Sequence, residues 1–341
     1  MKPVRNILVT MGDPAGISGE IIVKAFAALA RPRAAVAKEV HRRIAEIGAS
    51  LHVVGDRNVL ERARRIVGAK IPVEVVGGFS PAAQPTDRLR LFERSRMPMK
   101  GFRFGVPAYG REQLDYLDFA IEQARRKRVA AIVTGPVTKE AVAKIEPGFV
   151  GHTGYLAEKL HAHDERMAFL TPEYILALQT THVPLADVAK NLSSTSIATS
   201  IAMLAAAGRK YYGRKLPVAL LGLNPHAGEG GLLGLEENRI ILPAMEEARR
   251  AGSACDGPFP ADSFFIARVK RYRLILAMYH DQGLVAVKQA FPRLSVNVTL
   301  GLPVVRTSVD HGSGYDIAGK GKADETSMLY AIKAALELIK T

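Results

Sequence analysis

The chain has 341 residues, 48% of them hydrophobic and 23% charged, with Lys+Arg 47 against Asp+Glu 33, a formal net charge of +14 and one cysteine. This is ordinary globular composition, too long for one small core, and it argues against disorder, a disulfide framework and a membrane span of ~20 apolar residues. The surplus of positive charge fits a nucleic-acid binder, an enzyme whose ligands carry phosphates and carboxylates, or plain solubility.

The predicted elements run as follows. Short apolar, β-branched runs at 7–10, 51–54, 130–134, 175–180, 218–223, 274–278 and 296–300 read as strands. Helical patterns at 20–29, 112–127, 188–207, 236–251 and 325–339 lie between them. In the last, Met328, Leu329, Ile332, Leu336 and Ile339 share one face. The segment 31–50 reads as an additional helix or a mobile insert, and 77–107 as an irregular excursion. Alternation of strand and helix predicts an α/β fold with mostly parallel sheets. No low-complexity linker divides the chain, so two domains sharing a continuous or interwoven sheet are expected.

Basic residues concentrate at 31–43, 62–65 and 125–128 and read as solvated helix faces. No basic strip is interleaved with aromatics and no zinc-finger spacing occurs, so nucleic acid is not expected as a partner. Nothing at the start reads as a secretory signal. Cys255 has no second cysteine to pair with, which fits a reducing, cytoplasmic setting without membrane contact.

Three histidines stand just past strands: His182 after Gln179-Thr180-Thr181, His226 after Leu223-Asn224-Pro225, and His280 after Ala277-Met278-Tyr279. Ligands of open α/β sheets collect beyond the carboxyl ends of strands. Three imidazoles there suit one divalent cation with an open position, or each bonds locally within its own loop. The run Asn224-Pro225-His226-Ala227-Gly228-Glu229-Gly230-Gly231 lets backbone approach a ligand closely. Met11-Gly12-Asp13-Pro14-Ala15-Gly16 leads from the first strand into a helix, but it is neither a GxGxxG turn nor a P-loop. At Gly151-His152-Thr153, a helix start and two side-chain donors suit a phosphate, or Thr153 is simply a cap. Lys288, Asn297 and Arg306 surround the last strands, and Lys and Arg suit phosphate and carboxylate. The glycine-rich stretch from His311 to Gly321 reads either as a surface loop or as a pocket admitting a flat base.

Together these motifs resemble the 4-hydroxythreonine-4-phosphate dehydrogenase family of pyridoxine biosynthesis. The resemblance also rests on Gly135-Pro136-Val137-Thr138-Lys139, Thr181-His182-Val183-Pro184-Leu185, Met278-Tyr279-His280-Asp281-Gln282-Gly283 and Arg306-Thr307-Ser308-Val309-Asp310-His311-Gly312. It implies a two-domain isopropylmalate-dehydrogenase-like fold with its active site in the interdomain cleft. The expected domains are 1–150 plus 300–341, and 151–299, the second carrying the metal ligands and the dimer interface. It further implies a homodimer with a divalent metal (zinc, magnesium, manganese or cobalt) at the subunit interface, held by His182, His226 and His280. Substrate contacts map onto His152, Thr153, Lys288, Asn297 and Arg306. The cofactor, NAD or NADP, falls on His311, Gly312, Ser313, Asp316 and Ile317, a stretch similar to the adenosine loop of β-decarboxylating dehydrogenases. Candidate proton acceptors are Asp262, Lys139 and Asp281, the last alternatively orienting a ligand.

The activity implied is oxidation of 4-(phosphooxy)-L-threonine to a 3-keto acid that decarboxylates to 3-amino-2-oxopropyl phosphate. Close relatives act instead on 4-phosphorylated D-threonate or D-erythronate in sugar-acid catabolism. Ser18-Gly19 and Leu232 depart from the family pattern, Leu232 standing where a histidine is common. A metal-dependent phosphatase is a further class, but it needs more carboxylate ligands or a second metal than this histidine-rich set offers.

Overall fold

The structure is a computed structural model that describes residues 5–79 and 86–339. Two compact units divide the chain: the first runs up to His163 and resumes at Leu302, and the second is Asp164–Gly301. The expected boundaries at 150 and 300 thus fall at 163 and 301, which puts His152 and Thr153 in the first unit.

In the first unit the chain runs β1 (Asn6–Thr10), α1 (Ser18–Ala30), α2 (Ala35–Ile47), β2 (Ser50–Asp56), α3 (Arg57–Ile66), β3 (Val73–Val75), β4 (Leu89–Ser95), α4 (Gly110–Arg125), β5 (Ala131–Thr134), α5 (Lys139–Ala143) and α6 (His152–Lys159). The second unit holds β6 (Arg166–Leu170), β7 (Ile175–Leu178), α7 (Ser194–Tyr212), β8 (Val218–Leu221), α8 (Leu242–Arg250), β9 (Cys255–Phe259), α9 (Ala261–Ala267), β10 (Leu274–Ala277), α10 (His280–Ala290) and β11 (Val296–Leu300). The chain then returns to the first unit as β12 (Val305–Ser308) and α11 (Thr326–Leu338).

The first unit orders its strands β3-β4-β2-β1-β5-β12, every pair parallel. Residues 7–10 of β1 and all of β5 are buried, as strands covered on both faces must be. The second unit orders β11-β6-β7-β10-β8-β9, with β6 antiparallel to both β11 and β7 and the remaining pairs parallel. Its core joins Phe169, Leu176, Leu178, Ile275, Phe264 and Val287 across the sheet and two helices.

Two expectations change. The stretch 77–107 is not irregular throughout: β4 lies in it, paired Val53↔Leu91 with β2 and Val73↔Leu89 with β3. Arg90 hides the strand in the sequence, because it is 8% exposed and sits 3.9 Å from Glu74. Residues 80–85 of that stretch lie outside the described residues. The helix expected at 188–207 starts instead at Ser194, where the Ser193 hydroxyl accepts from the Ser196 N–H, and it runs on to Tyr212 before Gly213 turns left-handed.

Segment 31–50 is the helix α2, which packs on α11. The Arg43 guanidinium forks onto Glu337 at 2.6 and 2.8 Å, a planar match of the kind that orients two helices.

Candidate active site

The first unit gathers three loops that lie far apart in sequence. Gly12 has φ +69°, and a side-chain carbon there would fall 2.3 Å from the Pro136 carbonyl, so only glycine allows the two loops to touch. Asp13 is fully buried. Its carboxylate accepts from the Ala15 N–H at 2.9 Å, the Thr138 hydroxyl at 2.5 Å and the Tyr315 hydroxyl at 2.5 Å. The Thr138 oxygen also lies 2.7 Å from Ser313 Oγ. Short bonds to an ionised carboxylate are the strong kind, and here they fasten the glycine-rich stretch to both other loops. Burial and the Asp13 carboxylate push the Tyr315 phenol far above its ordinary pKa, so it stays a donor. Deeper along the stretch, Gly319 N–H donates to Glu20 at 2.6 Å.

Arg306 projects from β12 and is 3% exposed, with Nη2 donating to Thr134 Oγ1 at 2.8 Å. Burial lowers its pKa to about 9. His152 opens α6. Part of that residue reaches solvent, but its Nε2 is buried and has no hydrogen-bond partner among the described residues. Burial first, then the charges of Arg306 and Lys139, hold its pKa well below 6.5, so the ring is neutral at pH 7. Lys139, on the first turn of α5, reaches back so that its Cε would lie 3.5 Å from a side-chain carbon at Gly151. Thr153 follows in the first turn of α6. Arg306 and Lys139 thus place positive charge on either side of a neutral imidazole.

In the glycine-rich stretch, His311 Nδ1 lies 3.0 Å from the Gly312 carbonyl, while Nε2 is buried with no partner among the described residues. Space beside Gly312 is open. Ile317 N–H donates to the Gly314 carbonyl, and the Asp316 carbonyl accepts from Lys320.

In the second unit His182 and His280 approach with ring centres 5.9 Å apart. The His280 Nδ1 lies 2.6 Å from Asp281 Oδ1, a contact that fixes the ring's orientation. His226 is exposed, in a left-handed turn at φ +53°. Among the described residues of one chain, no three His, Cys, Asp or Glu side chains come together as a cation site. Lys288 lies over the Phe169 ring at 5.9 Å, and Asn297 is the strand partner of Phe169, so these two expected substrate residues share one neighbourhood. Asp262 stands exposed on the first turn of α9.

Several residues escaped the sequence reading as functional candidates: Asp13, Thr138, Tyr315, Glu237 and Gln282. All but Glu237 sit inside quoted motifs, and what singles each out is a hydrogen bond across long sequence separation.

Fold and site together define a class: a two-unit α/β protein whose strand ends carry histidines in one unit and a buried arginine beside a neutral histidine in the other. The model of the family described as pyridoxal phosphate biosynthetic protein PdxA matches residues 48–335. A 4-hydroxythreonine-4-phosphate dehydrogenase from Desulforapulum autotrophicum is 36% identical, covering 98% of this chain and 95% of its own. A protein from Oceanobacillus iheyensis with the provisional name D-threonate 4-phosphate dehydrogenase is also 36% identical, covering 100% and 99%. The crystal structure of a 4-hydroxythreonine-4-phosphate dehydrogenase from Burkholderia phymatum superposes with TM-score 0.82 at 34% identity, covering 98% of each chain. The chain belongs to the PdxA family.

Proposed function

We propose that this protein is an NAD(P)-dependent, divalent-metal-dependent dehydrogenase that oxidises 4-(phosphooxy)-L-threonine in pyridoxal phosphate biosynthesis. The observation that carries this reading is the pocket of Arg306, His152 and Lys139. A buried guanidinium beside a neutral imidazole suits an oxyanion, and its planar fork binds one bidentately. Whole-chain similarity to the named dehydrogenases supports the same conclusion.

Donor chemistry fits a cation: two imidazoles with centres 5.9 Å apart are spaced to share one ion, and Asp281 orients one of them. His182, His280 and His226 would hold it at a subunit interface. The partner subunit is a second copy of this chain, which the family resemblance implies. For the nucleotide, the buried Nε2 of His311 offers an acceptor to an adenine amino group, beside the open space at Gly312. When bound, the cation stabilises negative charge on the substrate oxygen and the nicotinamide accepts a hydride.

The chain's own residues do the rest. Arg306 and neutral His152 anchor an anionic group of the substrate, with Thr153 beside them. Lys288 and Asn297 bind a second polar group near Phe169. Asp262, Lys139 and Asp281 are the candidates to take the hydroxyl proton. Asp13, through Thr138 and Tyr315, holds the cofactor stretch in place. The 3-keto acid formed loses carbon dioxide to give 3-amino-2-oxopropyl phosphate.

A second substrate, 4-phospho-D-threonate or 4-phospho-D-erythronate, is favoured by the equal identity to the Oceanobacillus protein and by the departure of Leu232 from the family pattern. Reduced-cofactor absorbance with each of the three substrates separates the readings. Turnover of the amino acid supports the biosynthetic one, turnover of the sugar acids alone supports the other, and silence from all three overturns both.

A further inference from the structure

The three histidine-bearing loops of the second unit share a pattern: two residues before each histidine, a residue is locked to its surroundings by a side chain. Met278 precedes His280, Thr180 precedes His182, and Asn224 precedes His226. Gln282 receives the Met278 N–H on Oε1 at 2.7 Å and donates from Nε2 to the Gly222 carbonyl at 2.6 Å. One side chain thus ties the end of β10 to the end of β8. Thr180 donates from both its hydroxyl and its N–H to the Met278 carbonyl, at 2.8 and 3.2 Å, tying β7 to β10.

Glu237 completes the set. It is 3% exposed. Its Oε1 accepts the Leu223 and Asn224 N–H groups, each at 2.8 Å, and its Oε2 accepts the Asn224 amide at 2.9 Å. Just beyond, His226, Ala227, Gly228, Glu229 and Gly230 all have φ between +44° and +79°. Three of the five are not glycine, and such residues avoid left-handed backbone unless their surroundings hold them there. A side-chain carbon on Gly228 would fall 2.6 Å from Glu237 Oε2, so the turn is wrapped against this carboxylate.

We propose that Gln282 and Glu237 are positioning residues that set the placement of the His226- and His280-bearing strand ends before any cation arrives, with Thr180 tying the His182-bearing end to β10. This rests on the metal reading above. Neither side chain needs to touch the ion; each fixes backbone from which an imidazole projects, as outer groups do around metal sites. The frame also explains why a buried carboxylate is kept where three N–H groups converge.

The test is a titration of the metal-free full-length protein with Co2+, read as affinity and as the visible d–d spectrum. Gln282→Met and Glu237→Ala are expected to weaken Co2+ binding by about 10–100-fold and to alter the spectrum. Glu237→Gln keeps an oxygen facing the Leu223 and Asn224 N–H groups but loses the acceptor for the Asn224 amide, and is expected to recover part of the loss. Circular dichroism identifies any variant that fails to fold, and Gln282→Met alone then decides. Wild-type affinity and spectrum in Gln282→Met and Glu237→Ala, with binding lost in His182→Ala and His280→Ala, overturn the frame and leave the metal reading standing. Undiminished binding in the histidine variants overturns both.

Discussion

Arg306→Met tests the anion pocket through stability as well as catalysis. Burial lowers the Arg306 pKa from 12.5 to about 9. At 1.36 kcal/mol per pKa unit, that drop corresponds to a cost of about 5 kcal/mol for holding the cation in the unliganded folded state. Methionine removes the cost and fills much of the volume, but it strands Thr134 Oγ1, which then lacks the 2.8 Å donor, at about 1–2 kcal/mol. The expected outcome is a variant at least as stable as wild type when no anion is present. Inorganic phosphate should stabilise the wild type by about 2.7 kcal/mol at one hundred times its dissociation constant, and Arg306→Met hardly at all. The sign with pH follows from linkage. The unfolded chain keeps the guanidinium proton up to about 12.5, so as pH rises through about 9 the folded wild type sheds its cost and the gap to the variant narrows. Thermal unfolding with and without phosphate at pH 7 and pH 10, alongside kcat/KM, measures all of this. An Arg306→Met protein less stable than wild type and equally stabilised by phosphate would refute the reasoning.

The remaining predictions concern four other places. His52 is fully buried and its pKa is lowered to about 4, chiefly by burial. Because the unfolded chain gains a proton near 6.5 and the folded chain does not, wild type loses up to about 3 kcal/mol between pH 6.5 and 4 that His52→Leu retains, as urea unfolding across that window would show. Asp13→Asn weakens two charge-assisted bonds to the Thr138 and Tyr315 hydroxyls, so NAD binding measured by calorimetry should fall at least about tenfold, while stabilisation by phosphate is unchanged. His226→Ala should abolish turnover with the circular dichroism spectrum intact; an active variant after metal removal and repletion would sink its assignment. Chelation should silence the wild type, and divalent zinc, magnesium, manganese or cobalt should restore it.

The sequence alone carried the main strands and the α/β class, and it placed three histidines just past strands. Runs such as Ile7-Leu8-Val9 and Val296 to Leu300 announce themselves because a strand covered on both faces has no need of polar residues. The three histidines were legible for a related reason: each directly follows such a run, and strand ends are where ligands meet a parallel sheet. Strand β4 was not legible, because Arg90 is kept in the core's margin by Glu74, a partner 16 positions earlier. Segment 31–50 is held as a helix against α11 by partners far apart in sequence, Arg43 with Glu337 and Glu39 with Lys333.

Long-range hydrogen bonds divide the two kinds of knowledge at the site. Local pattern determines which residue types stand at the end of a strand, since burial and turn chemistry act on neighbours. Tertiary structure decided that Asp13, Thr138 and Tyr315 form one cluster, that Arg306 is sealed beside His152, and that Gln282 spans two strand ends. A hydrogen bond depends on distance in space and leaves no trace in the spacing of its partners along the chain, so only the folded arrangement turns those polar residues into a site.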